Sequence, residues 1–237
     1  MPFEKIVAPS QKELFIEQFI KLIFSGEFKV GDKLPTERDI AEMMGINRSA
    51  VHNALEELQR MGFVVMEPRR GTFVADYSND GDFNTLSAIA KYSGENFDQK
   101  MRIEMVELRN AVVGGALIRI AKLEQSAAIE KLSELHELHR EQARHADDVH
   151  STALRMQEFE MELVRLSGNS IYLLLLNTFG PGNLSIWERC SEFWGASSSL
   201  EQEERLISLL EQGEGRKAAQ YLEDKHDEFM RLNNIKR

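Results

Sequence analysis

The sequence predicts a mainly α protein of two domains, the first carrying a small β-hairpin and the second helical throughout. Within residues 34–62, apolar residues recur at helical spacing in two successive stretches, and two short apolar runs then flank a Pro-Arg-Arg-Gly turn. From residue 83 onwards there is one proline, Pro181, and no run of alternating β-branched residues. Because half-buried strands show that alternation, this second part is expected to be an antiparallel helical bundle.

A helix-turn-helix is expected over residues 36–62. Thr36 suits the N-cap of the first helix, with Asp39 three residues later as its acidic partner, and Gly45 ends that helix in a left-handed conformation. The second helix opens after a short turn, and its inward face is formed at helical spacing by Val51, Ala54, Leu55 and Leu58. An amphipathic helix over residues 11–26 is expected to cover the pair.

Residues 63–74 are expected to form a β-hairpin with Arg69 and Arg70 in its turn. Beside it, the N-terminal half of the second helix carries short polar side chains, namely Asn47, Arg48, Ser49, His52 and Asn53. Helix-turn-helix proteins insert the N-terminal residues of such a helix into the major groove of DNA. We therefore predict a winged helix-turn-helix DNA-binding domain over residues 1–76, followed by a polar linker at 77–82.

The order of these motifs resembles the winged-helix domain of the GntR family of bacterial transcription factors. The matching stretches are residues 34–41 (LPTERDIA), 45–55 (GINRSAVHNAL), 58–62 and 70–74 (RGTFV). The resemblance implies that DNA is contacted by Arg38, Arg48, Ser49, Arg70 and Gly71. His52 stands where the family usually has Arg, and Asn53 where it usually has Glu, so we expect an operator that differs from the usual family half-site.

The net charge of −10 is unusual for a nucleic-acid binder. Residues 1–76 hold 10 Lys and Arg against 12 Asp and Glu, and residues 77–237 hold 19 against 27. Since neither part is basic, DNA affinity must come from local clusters of arginine rather than from a global field. Weak charge per domain favours binding as a homodimer, which doubles the phosphate contacts and implies a pseudo-palindromic operator.

The second part, residues 83–237, resembles the all-helical ligand-binding domain of the FadR subfamily of GntR regulators. The resemblance rests on Glu107-Leu-Arg109, on a helix ending at Ser167-Gly-Asn169, and on a closing pattern from Gly213 to His226. It implies a small-molecule effector of the organic-acid or acyl-CoA type, in a cavity between helices. The candidate effector-binding residues are Arg109, Glu160, Asn169, Tyr172, Arg189, Glu203 and His226. For Arg109, a grip on an anionic ligand and a surface salt bridge are both open.

Most members of that subfamily hold a divalent metal with one Asp and three His. By position, these ligands fall on Met156, Glu160, Glu203 and His226. A thioether is a poor ligand for such ions, so we expect no metal and no other cofactor. A carboxylate-rich metal site at the other three positions and a simple polar cluster remain the two alternatives, with the polar cluster favoured.

The remaining histidines lie in strongly charged helices or their connecting loop, and we expect them on solvated faces: His136, His139, His145 and His150. Cys190, the single cysteine, excludes an internal disulfide and is expected to act as a small core hydrophobe. The longest apolar run, residues 171–176, is too short to cross a membrane, and no signal peptide opens the chain. We therefore expect a cytoplasmic protein.

These observations favour a transcription regulator that binds double-stranded operator DNA and responds to a small molecule. An enzyme is not expected, because the chain has no phosphate-binding glycine loop after a strand, no nucleophile elbow and no intact metal triad. The alternative is a DNA-binding regulator without an effector, whose helical domain serves dimerisation only.

Overall fold

A computed structural model of the chain describes residues 9–93, 99–123, 126–178 and 180–232. The chain divides into two compact units, Met1–Phe97 and Asp98–Arg237. Within the described residues, ten helices and one two-stranded antiparallel sheet account for the regular structure. The mainly α class predicted from the sequence is thus confirmed.

The N-terminal unit contains the predicted helix-turn-helix and hairpin. Its elements are α1 (Gln11–Phe24), α2 (Glu37–Met44), α3 (Arg48–Arg60), β1 (Val64–Glu67), β2 (Gly71–Val74) and α4 (Phe83–Ser93). Thr36 caps α2 with Asp39 as its capping-box partner, and Gly45 ends it at a φ of 64°. These local signals place each boundary because they satisfy backbone groups that the helix ends leave unpaired.

The hairpin pairs β1 with β2 in antiparallel register, from Val64 opposite Val74 to Glu67 opposite Gly71. Its base is fixed to the chain before α2, because the Val74 N–H donates to the Asp32 carbonyl at 2.9 Å. The hairpin therefore projects as a wing from a fixed base.

Helix α4 packs on the core of the N-terminal unit. Ala88 is buried there, with Ile89 and Tyr92 against the same core. In the stretch expected to be a linker, Tyr77 packs its ring 5.4 Å from that of Phe63. The apolar face of α4 thus completes the first core, and α4 belongs to the first compact unit.

The helical unit contains α5 (Gln99–Lys122), α6 (Ser126–Ala143), α7 (Val149–Leu166), α8 (Ser170–Thr178), α9 (Gly180–Glu211) and α10 (Gly215–Leu232). Gly195 interrupts α9 with a φ of 72° and a ψ of 173°, so this element is two helices joined at a kink. Its main hydrophobic core includes the fully buried side chains of Leu117, Ile120, Leu163 and Leu210. Among the described helices, none combines the length and apolarity that crossing a bilayer requires.

Candidate functional site

The first candidate site is the exposed N-terminal half of α3. Asn47 is its N-cap: the Asn47 Oδ1 accepts from the Ala50 N–H at 2.7 Å and from the Ser49 hydroxyl at 2.6 Å. The Asn47 amide also donates to Gln11 Oε1 at 2.9 Å, which ties α3 to α1. Asn53 is exposed one turn further on. Asn47 thus serves the start of the helix, while its neighbours face solvent.

Arg48 and His52 both bind Glu37, the first residue of α2. The Arg48 Nε lies 3.1 Å from Glu37 Oε2, and the His52 Nδ1 lies 2.7 Å from Glu37 Oε1. The hydrogen bond to Glu37 raises the pKa of His52, and the same bond lowers the pKa of Glu37. Glu37 was not among the predicted site residues, although it lies within the matching 34–41 motif. Glu37 thus contacts two of the candidate DNA-binding side chains.

The wing supplies a second group of exposed basic side chains. Arg69 adopts a φ of 65°, a left-handed conformation that is uncommon for a residue other than glycine, and Gly71 follows at 117°. Arg70 forms an ion pair with Glu67, and its guanidinium carbon lies 5.7 Å from the ring centroid of Phe73. On α2, the exposed Arg38 pairs with Glu42 at 3.1 Å. All predicted DNA-binding residues are exposed and lie on α2, α3 and the wing.

The second candidate site is a cavity of about 80 Å³ in the helical unit. Its walls come from α5, α7, α9 and α10. Four predicted effector-binding residues meet there, namely Arg109, Glu160, Glu203 and His226, together with Met156. The four positions matched to the family's metal ligands, Met156, Glu160, Glu203 and His226, therefore converge in space, although only His226 keeps the family's side chain.

Three predicted effector-binding residues do not line this cavity. Asn169 instead caps α8, where its Oδ1 accepts from the Ile171 N–H at 3.1 Å. Tyr172 packs against the core and brings its ring next to Gly115. Arg189 is exposed on α9.

Arg109 and Glu160 form a buried ion pair across the cavity wall. The Arg109 Nε lies 2.7 Å from Glu160 Oε1, and a second contact joins Nη2 to Oε2. The guanidinium carbon also lies 3.9 Å from the ring centroid of Trp187. Burial raises the pKa of Glu160, and the positive charge of Arg109 offsets part of that rise. The positive charge of Arg109 is thus balanced by Glu160 inside the protein. The alternative prediction, that Arg109 forms a surface salt bridge, is therefore wrong.

Glu203 binds two buried histidines of α6. Its Oε2 lies 3.0 Å from His136 Nδ1, and its Oε1 lies 2.9 Å from His139 Nδ1. The expectation that these histidines lie on a solvated face is wrong, because α6 packs this side against α9. They continue the buried stripe of Ala128 and Leu132 at helical spacing, a signal that the charged neighbours obscured. His145 and His150 are exposed, as expected.

The cavity does not have the donor set of a divalent metal site. Both Glu160 oxygens face Arg109 and both Glu203 oxygens face histidine nitrogens, so each carboxylate is already committed. Met156 contributes only a thioether, which binds such ions poorly. Among the described residues, no group of three His, Cys, Asp or Glu has a metal-binding arrangement.

Cys190 lines the same cavity and is buried, as expected of a core hydrophobe. Burial raises the pKa of its thiol to about 12. The thiol is therefore protonated at neutral pH and is no nucleophile.

A polar recognition helix beside a two-stranded basic wing defines a winged-helix DNA-binding protein. Residues 15–74 match the model of the bacterial regulatory proteins of the gntR family. The N-terminal unit is therefore a GntR-family helix-turn-helix domain.

Two curated relatives extend the likeness into the helical unit. The fatty acid metabolism regulator protein of Shewanella pealeana is 28% identical over 170 residues. The matched residues make up 70% of this chain and 66% of that relative, so the match spans just under two thirds of the relative's length. The protein of the same name from Shewanella baltica strain OS155 is 25% identical over 200 residues, covering 82% and 76%.

A solved structure shows the same fold over nearly the whole chain. It is that of Lar, described as controlling the expression of the Listeria monocytogenes agr system, with a TM-score of 0.58 at 14% identity. The match covers 94% of this chain and 96% of Lar. At this identity, the likeness shows the fold alone.

Proposed function

We propose that this regulator binds a pseudo-palindromic operator as a homodimer and that a small molecule in the helical unit controls its DNA affinity. The observation that carries the proposal is the pairing of two sites in one chain. One unit exposes a polar recognition helix and a basic wing, and the other encloses a cavity that contains polar groups.

The dimer follows from the charge of the DNA-binding face. Arg48 shares Glu37 with His52, and Arg70 pairs with Glu67, so part of the positive charge is matched within the protein. A single domain of this kind therefore attracts few phosphates. Two domains bound to one duplex make twice as many phosphate contacts. Two-fold symmetry of the protein would then be mirrored in two half-sites about one helical turn apart.

The effector follows from the size and position of the cavity. A volume of about 80 Å³ holds roughly six water-sized groups, at about 10–15 Å³ each. A small organic molecule fits this space, whereas an acyl-CoA needs the surrounding helices to move apart. The size of the cavity therefore favours the smaller of the two effector classes that the family resemblance implies.

Selection from a randomised-site DNA library, followed by sedimentation of the protein with and without the selected duplex, tests the DNA-binding part. We expect two inverted half-sites and a two-to-one complex of protein and duplex. Monomeric protein at micromolar concentration both alone and on DNA would refute the dimer.

A thermal-shift screen against metabolite acids, uncharged metabolites and acyl-CoAs tests the effector part. A compound that raises the melting temperature and changes operator affinity supports control by an effector. If no compound does so while the operator is bound tightly, the helical unit serves dimerisation only.

A further inference from the structure

Lys33 lies beside the wing, on the edge of β2 that faces away from β1. It pairs with Phe73 in an antiparallel bridge, and Phe73 pairs with Val65 of β1 on its other side. Residues that lie directly opposite each other in antiparallel strands point to the same face of the sheet. The next pair along, Val64 and Val74, points to the other face and is buried, whereas Lys33 is exposed. Lys33 therefore lies on the solvent-facing side of the wing.

The side chain of Lys33 passes over Gly71, the first residue of β2 after the wing turn. A Cβ atom built on Gly71 would lie 2.8 Å from Lys33 Cε and 3.6 Å from Lys33 Nζ. The lysine thus covers the backbone of Gly71, where no side chain separates the two. Gly71 is one of the residues expected to contact DNA, and a glycine can do so only through its backbone. A phosphate that touches this backbone would therefore lie within reach of the Lys33 ammonium.

The ring of Phe73 borders two cations of the wing. Lys33 Nζ lies 5.9 Å from the ring centroid, and the guanidinium carbon of Arg70 lies 5.7 Å from it. An aromatic face attracts cations within about 6 Å of its centroid. The ring therefore keeps the ammonium beside the wing, near the arginine that is expected to contact DNA there.

Lys33 differs from Arg48 and Arg70 in its ion pairing. Arg70 pairs with Glu67, and Arg48 pairs with Glu37. In the part of the chain that the structure describes, Lys33 forms no ion pair with a carboxylate. An arginine that is already paired exchanges a carboxylate for a phosphate when it binds DNA, whereas Lys33 adds its whole charge to the attraction.

We infer that Lys33 is a further DNA-contacting residue, whose ammonium binds a phosphate beside the wing. The inference rests on DNA binding by the winged helix, and it extends the contact surface to the segment before α2. An ammonium is a compact point charge that binds phosphate oxygens, and phosphate contacts carry no sequence information directly. Lys33 therefore contributes affinity and salt dependence rather than base preference.

The test is anisotropy titration of the full-length protein with the duplex recovered from the randomised-site selection, between about 50 and about 200 mM salt. Lys33→Met keeps most of the length of the side chain and removes its charge. The slope of log affinity against log salt concentration should become shallower by about 0.9, the value for one phosphate, and affinity at about 0.1 M salt should fall roughly five-fold. The same fold-change is expected on duplexes that carry single base changes, because the contact does not read bases.

Two variants serve as controls. Lys33→Arg keeps the positive charge and should keep the salt slope of the unaltered protein. Lys21→Met changes the net charge by the same one unit, but Lys21 lies on α1, where its Nζ is 2.7 Å from Glu17 Oε1 and no predicted DNA contact is found. This variant should leave the slope unchanged.

Duplexes in which one phosphate at a time is replaced by an uncharged methylphosphonate locate the contact. One position should weaken binding of the unaltered protein and have no effect on Lys33→Met, because that variant no longer has the charge that the phosphate attracts.

Several results would overturn the inference. An unchanged slope in Lys33→Met would show that Lys33 meets no phosphate, and equal changes in Lys33→Met and Lys21→Met would show an effect of net charge alone. A methylphosphonate scan that gives the same profile for Lys33→Met and the unaltered protein would also reject the contact. Lys33→Gln takes the place of Lys33→Met if the latter does not fold. Failure of the unaltered protein to bind any selected duplex would instead refute DNA binding itself, so the two failures are distinguishable.

Discussion

The buried ion pair of Arg109 and Glu160 yields a quantitative prediction. Their side chains are 15% and 9% exposed, so solvent screens them little. Glu160→Gln removes the carboxylate charge and leaves the guanidinium of Arg109 in a low-dielectric site without a counter-charge. Removing one partner of such a pair typically costs about 3–5 kcal/mol. Because the Gln oxygen still accepts one hydrogen bond, we expect a loss near the lower limit, about 3 kcal/mol of unfolding free energy.

Replacement of both partners gives the opposite expectation. In Arg109→Met/Glu160→Leu, no buried charge remains and the apolar side chains fill much of the same volume. Such replacements are often neutral or stabilising. We therefore expect the double variant to be close to the unaltered protein in stability and clearly more stable than Glu160→Gln. The loss of stability in Glu160→Gln would then come from the unpaired charge of Arg109 and not from the lost contact.

Urea unfolding followed by tryptophan fluorescence measures these differences. Both tryptophans lie in the helical unit, so the signal follows this unit alone. The matched control is Glu137→Gln, which breaks the pair with Arg140 on the surface of α6, where the two side chains are 66% and 51% exposed. We expect that control to change stability by less than about 0.5 kcal/mol, as exposed pairs do. Equal losses in Glu160→Gln and Glu137→Gln would refute the reasoning.

Three further predictions concern single side chains. Arg48→Ala should weaken operator binding by about 1–3 kcal/mol and relax base preference. Arg70→Ala should weaken binding to all duplexes alike and lower the slope of log affinity against log salt concentration by about 1. An unchanged slope would contradict the wing contact. Since Glu37 raises the pKa of His52, DNA affinity should rise as pH falls from about 8 to about 6. His52→Ala should abolish this pH dependence in anisotropy titrations. A variant that keeps the pH dependence would contradict the role of His52. Glu203→Ala leaves two buried histidines without their acceptor and should destabilise the helical unit by about 3 kcal/mol. Urea unfolding measures this loss, with Glu201→Ala on the exposed side of α9 as the control.

The sequence by itself determined the local features of this protein. Thr36, Asp39 and Gly45 set the ends of α2, because each acts on backbone groups three or four residues away. The spacing of apolar residues located α1, α2 and α3 to within a few residues. Alignment to the family's motifs also selected four residues that meet in one cavity.

Only the tertiary structure decided which distant groups form pairs. Arg109 meets Glu160 across 51 positions of the chain, and His136 meets Glu203 across 67. These pairings decide that both carboxylates of the cavity wall already have partners within the protein. A helix pattern shows that one side is buried but not which helix covers it. The charge state of a buried group depends on that neighbour, because desolvation and ion pairing act only between groups that folding brings together.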